Sequence, residues 1–201
     1  MRDAIAVSPG RVAADRVRLP IAFDPESLMS DLCIAQEAGW FKHFIKQNYE
    51  GDWSVLPLRG PAGALHPVMK IYSDPAAKAF EDYAVLEQTH YFRQVLARFD
   101  CPLQCVRLMR LKPGSRIKPH RDFDLDFESG FARIHIPITT NPGVEFLLNG
   151  THVAMAPGSA WYLRLSDSHS VINAGTTDRV HLVIDAIANA WLADRIAVGS
   201  A

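Results

Sequence analysis

Cysteine is scarce in this 201-residue chain. The three present, Cys33, Cys101 and Cys105, are odd in number and form no CxxC pair. A disulfide framework is therefore not expected, and the thiols are read as buried, reduced core residues of a cytoplasmic protein. Charge of one sign is equally lacking. Lys plus Arg total 21 against 22 Asp plus Glu, a formal net charge of -1. That balance carries no whole-molecule footprint of a nucleic-acid or anionic-membrane binder. No apolar run approaches the ~20 residues of a membrane span, and the opening MRDAIAVSPGRVAADRVRLP contains no signal-type hydrophobic stretch. Internal repeats and low-complexity segments are missing too. One domain over residues 1–201 is expected, large enough to bury a core without a partner.

What is present falls into two textures. Residues 1–100 read as mixed helix and strand. Asp24-Pro25 has the form of an N-cap followed by Pro at the first helical position, and Leu28, Met29, Leu32 and Cys33 then recur at helical spacing until Gly39. A second helix is expected from Thr89, with Tyr91, Phe92, Val95, Leu96 and Phe99 on one face. Asp74-Pro75 is a third candidate start, and WSVLPLR after Asp52 alternates like a strand. These helices are expected to pack on a sheet.

From about Leu103 to Trp191 the chain changes to short runs rich in Val, Ile, Leu and Phe, punctuated by Pro113-Gly114, Asn141-Pro142-Gly143, Asn149-Gly150, Pro157-Gly158 and Asn173-Ala174-Gly175. Asn-Gly between FLL and THVAM is a hairpin signal, because both central residues of a type I′ turn need positive φ. Strands in such a series predict a sandwich or barrel. Their parity is informative, since successive side chains of a strand point to opposite faces. In FARIHI, Arg133 and His135 share one face and Ile134 and Ile136 the other. In RVHLVI, Arg179 and His181 oppose Val180, Leu182 and Ile184. An amphipathic sheet wetted on its polar side would read the same way. Two Arg-x-His strands near further histidines favour a barrel packed on helices outside and lined by a cationic pocket within.

Lys118-Pro119-His120-Arg121-Asp122 places an imidazole and a carboxylate two apart at a strand end, and His169 follows in SHSV. Two His and one carboxylate are the ligand set of a facial triad, which holds Fe(II) and leaves positions open. They also suit Zn(II) in a hydrolase. Arg179, ten residues beyond His169, discriminates between these, because a dicarboxylate cosubstrate needs a planar cation for its far carboxylate.

With HRDFDLDFESGFARIHIPITTN, GSAWYLRLSDSHSVINAG and DRVHLVIDAIANAWL, the chain resembles the aspartyl/asparaginyl beta-hydroxylase-like branch of the Fe(II)- and 2-oxoglutarate-dependent dioxygenases, especially its bacterial free-proline hydroxylases. The likeness covers about Arg107 to Trp191. It implies a mainly β fold with supporting helices, a double-stranded β-helix or cupin-like jelly roll. It further implies His120, Asp122 and His169 as iron ligands, and Arg179 as anchor of the distal carboxylate of 2-oxoglutarate. Arg133 and His135, with His181 in the pocket wall, would help to hold that cosubstrate, and Arg107 would line the substrate pocket. The reaction implied hydroxylates an unactivated carbon of a free amino acid or similar small molecule, with O2 as second cosubstrate and succinate and carbon dioxide released. Family members that hydroxylate Asp and Asn in protein domains lack the carboxylate ligand, so Asp122 points to the small-molecule branch.

Two other readings remain open from the residues: hydroxylation of Asp or Asn in peptides, and a jelly-roll module that binds an organic anion without catalysis. His43, His66, His90 and His152 stand outside the pattern and are read as structural. Trp161, Tyr162 and Trp191 are read as core. Asp124, Asp126 and Glu128 are assigned to a solvated loop, where Asp124 or Asp126 compete with Asp122 as ligand.

Overall fold

The computed structural model describes residues 14–71 and 77–199. Two antiparallel sheets face each other. The larger is built from β1 (Arg16–Ala22), β2 (Phe41–Lys42), β4 (Trp53–Pro61), β5 (Phe80–Asp82), β6 (Leu103–Leu111), β8 (Phe131–Thr139), β11 (Ser159–Leu163) and β13 (Arg179–Ile187). Its order is β1-β11-β8-β13-β6-β4-β2, with β5 also on β4. The smaller joins β3 (Tyr49–Glu50), β7 (Ser115–His120), β9 (Val144–Leu148), β10 (Thr151–His152) and β12 (His169–Asn173) in the order β10-β9-β12-β7-β3. Among the described residues five α-helices, α1 (Pro25–Ala35), α2 (Pro67–Ile71), α3 (Ala84–Gln88), α4 (His90–Leu96) and α5 (Ala190–Val198), complete a jelly roll with supporting helices. Among the described residues no helix is long and apolar enough to cross a membrane.

Strand parity sets up two cores. Ile134, Ile136, Leu182, Ile184, Val106 and Leu108 face outward and pack with Leu28 and Leu32 of α1, Leu86 of α3, Phe92 and Val95 of α4 and Leu192 of α5. Opposite them, Val55, Met109, Leu111, Leu163 and Val183 meet Ile117, Phe146, Leu148 and Val171 of the smaller sheet. Each fully buried side chain of this size contributes roughly 1.5–3 kcal/mol, so the central strands are clamped from both sides. Trp161 lies in the inner core, while Tyr162 and Trp191 belong to the outer one. Asn149 and Gly150 adopt φ of 51° and 74° in the β9–β10 hairpin, the positive values that a type I′ turn demands.

Two expectations are corrected. In α1 the buried stripe is Leu28, Asp31, Leu32 and Ala35. Met29 and Cys33 look to solvent, because they fall on the opposite side of the helix from that stripe. Of the cysteines only Cys105 is buried, and Cys101 is half-buried. The proposed start at Asp74-Pro75 lies outside the described residues.

Candidate metal centre and anion pocket

β7 and β12 are neighbours in the smaller sheet, with His120 opposite His169. The pairing Val171 with Ile117 and His169 with His120 leaves three steps on β7 against two on β12. This is a β-bulge at Lys118-Pro119, and Pro there has no N–H to miss from the ladder. Strict alternation from inward-facing Ile117 would turn His120 outward; the extra residue turns it in. The chain beyond β7 is then held by the Asp122 N–H, which donates to the Leu165 carbonyl at 2.8 Å.

One ligand-type atom from each of His120, Asp122 and His169 lies within 4.8 Å of the others. Neither Asp124 nor Asp126 joins them. Asp126 instead accepts from the Ser129 N–H, and Glu128 pairs with Arg164. The imidazoles are oriented for ligation. His120 Nδ1 donates to the Lys118 carbonyl at 2.8 Å, and His169 Nδ1 to the Asp167 carbonyl at 3.0 Å. A carbonyl only accepts, so each Nδ1 is protonated, and Nε2 is the nitrogen whose lone pair the neutral ring can offer a cation. Burial holds the His169 pKa down to about 4, leaving it neutral at physiological pH. Asp122 gives one oxygen, Oδ2, to Arg133 Nη1 at 2.7 Å, while Oδ1 lies 3.6 Å from His120 Nε2. Two imidazole nitrogens and one carboxylate oxygen make a donor set that suits a divalent transition metal.

The cluster opens into a cavity of about 600 Å³. Its deep wall holds three guanidiniums, Arg107, Arg133 and Arg179, each under 10% exposed. Asp185 accepts from Arg133 Nε at 2.6 Å and Nη2 at 3.0 Å, and from Arg107 Nη2 at 2.7 Å. Arg107 Nη1 donates to the Ile71 carbonyl. Among the described residues no carboxylate pairs with Arg179, and its Nε is buried without a hydrogen-bond partner. Its Nη2 donates to His181 Nδ1 at 2.9 Å, and the guanidinium lies over the Phe146 ring at 5.8 Å. Desolvation pulls its pKa down to about 9, so it remains a cation at neutral pH. A buried cation without a counter-ion is costly, and an organic anion would relieve that cost.

His181 Nδ1 accepts from Arg179, so the proton shared with His135 Nδ1 at 3.3 Å belongs to His135. Burial, reinforced by the Arg179 charge, pushes both imidazole pKa values well down.

Most residues singled out in the sequence therefore converge. His120, Asp122, His169, Arg179, Arg133, His135 and Arg107 all line the cavity, and His181 stands behind Arg179. The guanidinium of Arg133 is not free for a cosubstrate, however: protein carboxylates occupy three of its donors. Two wall residues, Asp185 and Phe146, had no sequence assignment, and His43, read as structural, lines the cavity as well. Asp185 shares the strand face of Arg179 and His181, so parity alone could have found it. Phe146 stacks on His169 at 6.2 Å and edge-on to His135 at 6.0 Å. His43 is buried against Trp53, ring centroids 3.6 Å apart, and its pKa falls to about 3 mainly by desolvation. His66, His90 and His152 are exposed.

A two-sheet jelly roll that brings two His and one Asp together at its mouth defines a class of β-barrel proteins with a candidate divalent-metal site. Within that class the chain belongs to the aspartyl/asparaginyl beta-hydroxylase family, whose model matches residues 32–189. It is 26% identical over 178 residues to L-proline cis-4-hydroxylase of Rhizobium meliloti (strain 1021), covering 85% of this chain and 60% of that protein. It is 27% identical over 169 residues to L-proline cis-3-hydroxylase 2 of a Streptomyces species, covering 82% of this chain and 57% of that one. The chain thus spans less than two thirds of the length of either relative. A solved oxidoreductase of the 2OG-Fe(II) oxygenase family from Burkholderia pseudomallei shares the fold, with a TM-score of 0.53, 18% identity and 88% of each chain covered.

Proposed function

We propose that this protein is an Fe(II)- and 2-oxoglutarate-dependent hydroxylase that oxidises an unactivated carbon of a free amino acid or similar small polar molecule. The observation that carries this reading is the conjunction of a ligand cluster at His120, Asp122 and His169 with an unpaired buried cation, Arg179, on the same cavity wall. A zinc hydrolase gives Arg179 no task; a dicarboxylate cosubstrate does. The relatives named for proline hydroxylation support an amino acid as substrate.

In this reading His120, Asp122 and His169 hold the iron. Arg179, kept in orientation by His181 and Phe146, takes the far carboxylate of 2-oxoglutarate. Iron, once bound, supplies the O2 chemistry that couples loss of carbon dioxide from 2-oxoglutarate to hydroxylation. The remaining task of the protein is positional: the apolar walls from Trp53, Val55, Ile71, Phe131 and Phe146 exclude water and fix the target carbon. No side chain has to act as a nucleophile. We assign the activity to a single domain, since β1 and β4 from the first hundred residues are strands of the same sheet as β13. Three free thiols are in keeping with a cytoplasmic setting.

The test is succinate formation by iron-restored protein across a panel of free amino acids that includes L-proline. The expected result is turnover that requires Fe(II), O2 and 2-oxoglutarate together. No succinate with any member of the panel would move the protein to the anion-binding reading.

A further inference from the structure

Asp122, two residues past the end of β7, is held at Oδ2 by a chain of charges that begins across the larger sheet. β13 pairs with β8 so that Asp185 lies directly opposite Arg133, and with β6 so that Val183 lies opposite Arg107. The Asp185 carboxylate, 2% exposed, therefore lies between two guanidiniums. Both of its oxygens engage the Arg133 fork, at 2.6 and 3.0 Å, and this leaves Arg133 Nη1 to reach Asp122 Oδ2 at 2.7 Å. Without the Asp185 fork, Arg133 has several rotatable bonds and no fixed approach to Asp122.

We infer that Asp185 is a positioning residue for the metal ligand: through Arg133 it fixes the Asp122 carboxylate so that Oδ2 is occupied and a single oxygen, Oδ1, is presented to the ion beside the two Nε2 atoms. Arg107 belongs to the same relay, since it shares Asp185 Oδ2 with Arg133. The orientation of the ligand and the arrangement of the cavity wall are thereby coupled. A carboxylate with both oxygens free could swing toward bidentate binding and close a coordination position. With Oδ2 committed, that position stays available to another ligand.

This inference rests on the reading of His120, Asp122 and His169 as a metal site, and the experiment separates the two. Co(II) binding to purified protein is measured by titration calorimetry, with thermal melts recorded alongside. The wild type is expected to bind one Co(II). D185N and R133K, each giving a cooperative melt, are expected to bind it 10–100-fold more weakly, the usual effect of losing an outer partner of a ligand. In a D122A background, D185N is expected to add no further loss, because the route through Asp122 is already cut. A merely structural role for Asp185 predicts instead that the losses add. Wild-type affinity in folded D185N, or additive losses in the cycle, overturns the inference. Should D185N not fold, R133K decides: it keeps the charge and leaves Asp185 with Arg107, but a lysine cannot bridge two carboxylates as a fork, and unchanged Co(II) affinity overturns the proposal. A wild type that takes up no Co(II) overturns the metal reading itself.

Discussion

At the scale of single residues, the proposed function divides the pocket into a ligand-type cluster for a cation and Arg179 for an anion, and substitutions should separate the two. Asp122→Ala removes one of three ligand-type groups and also strips Arg133 of a partner. Divalent-metal affinity should fall sharply, with turnover, when followed by metal titration. Arg179→Ala should leave metal affinity nearly intact while the 2-oxoglutarate requirement rises. Removing one partner of a buried charged pair typically costs about 2–5 kcal/mol, so at least a thirtyfold increase in the apparent dissociation constant is expected. An equal loss of metal and cosubstrate binding would count against this division of labour. Both residues were legible before the structure, because His-x-Asp, a later His and an Arg on the next strand form a pattern of residue types. For Asp185 parity gives the strand face it shares with Arg179 and His181, but not which guanidinium it meets, which only the pairing of the strands decides.

At the scale of elements, chain punctuation was legible and surface assignment less so. The Asp24 cap was read correctly: its carboxylate accepts from the Ser27 N–H at 2.9 Å. The start of α4 was placed well, but its cap is not in its own sequence. Thr89 turns its hydroxyl back to Val85 and Leu86, and the Phe92 N–H is taken at 2.7 Å by Asp31 of α1. Such a contact has no local signature, nor does the bulge that re-aims His120. Asp31→Ala leaves a buried N–H unsatisfied and removes a cap, each worth about 1–2 kcal/mol. Urea unfolding should show a loss of this size with Co(II) affinity unchanged. Turn glycines should differ in the same assay. Gly150 and Gly158 both have positive φ, but a Cβ on Gly150 meets nothing whereas one on Gly158 runs into the Phe23 carbonyl. Gly150→Ala should cost about 1 kcal/mol, and Gly158→Ala distinctly more, because the Phe23 N–H to Gly158 carbonyl bond of 2.8 Å resists displacement.

At the scale of the whole molecule, the fold keeps four imidazoles neutral inside a cationic barrel, and this sets its response to acid. His43, His135, His169 and His181 all have pKa values lowered by burial, those of His43 and His169 to about 3 and about 4. In the unfolded chain each returns to about 6.5. The unfolded state therefore binds more protons at any pH between these limits. Stability from these groups is complete above about 6.5 and is lost as the pH falls. At about 1.4 kcal/mol per pH unit for each proton, four such groups would remove on the order of 5 kcal/mol per unit near pH 5. That is comparable with the whole stability of an ordinary domain. Metal-free protein should accordingly show a urea midpoint that drops steeply between pH 7 and pH 5, where carboxylate protonation contributes little. A midpoint constant over that range would mean that the imidazoles are already charged or solvated in the native state. The neighbouring guanidiniums make that outcome physically costly: an imidazolium at His135 or His181 would lie against Arg179, with no added anion to offset it. The buried Arg179 cation, to which the proposed function gives a dicarboxylate, is thus one of the charges that keep those histidines neutral.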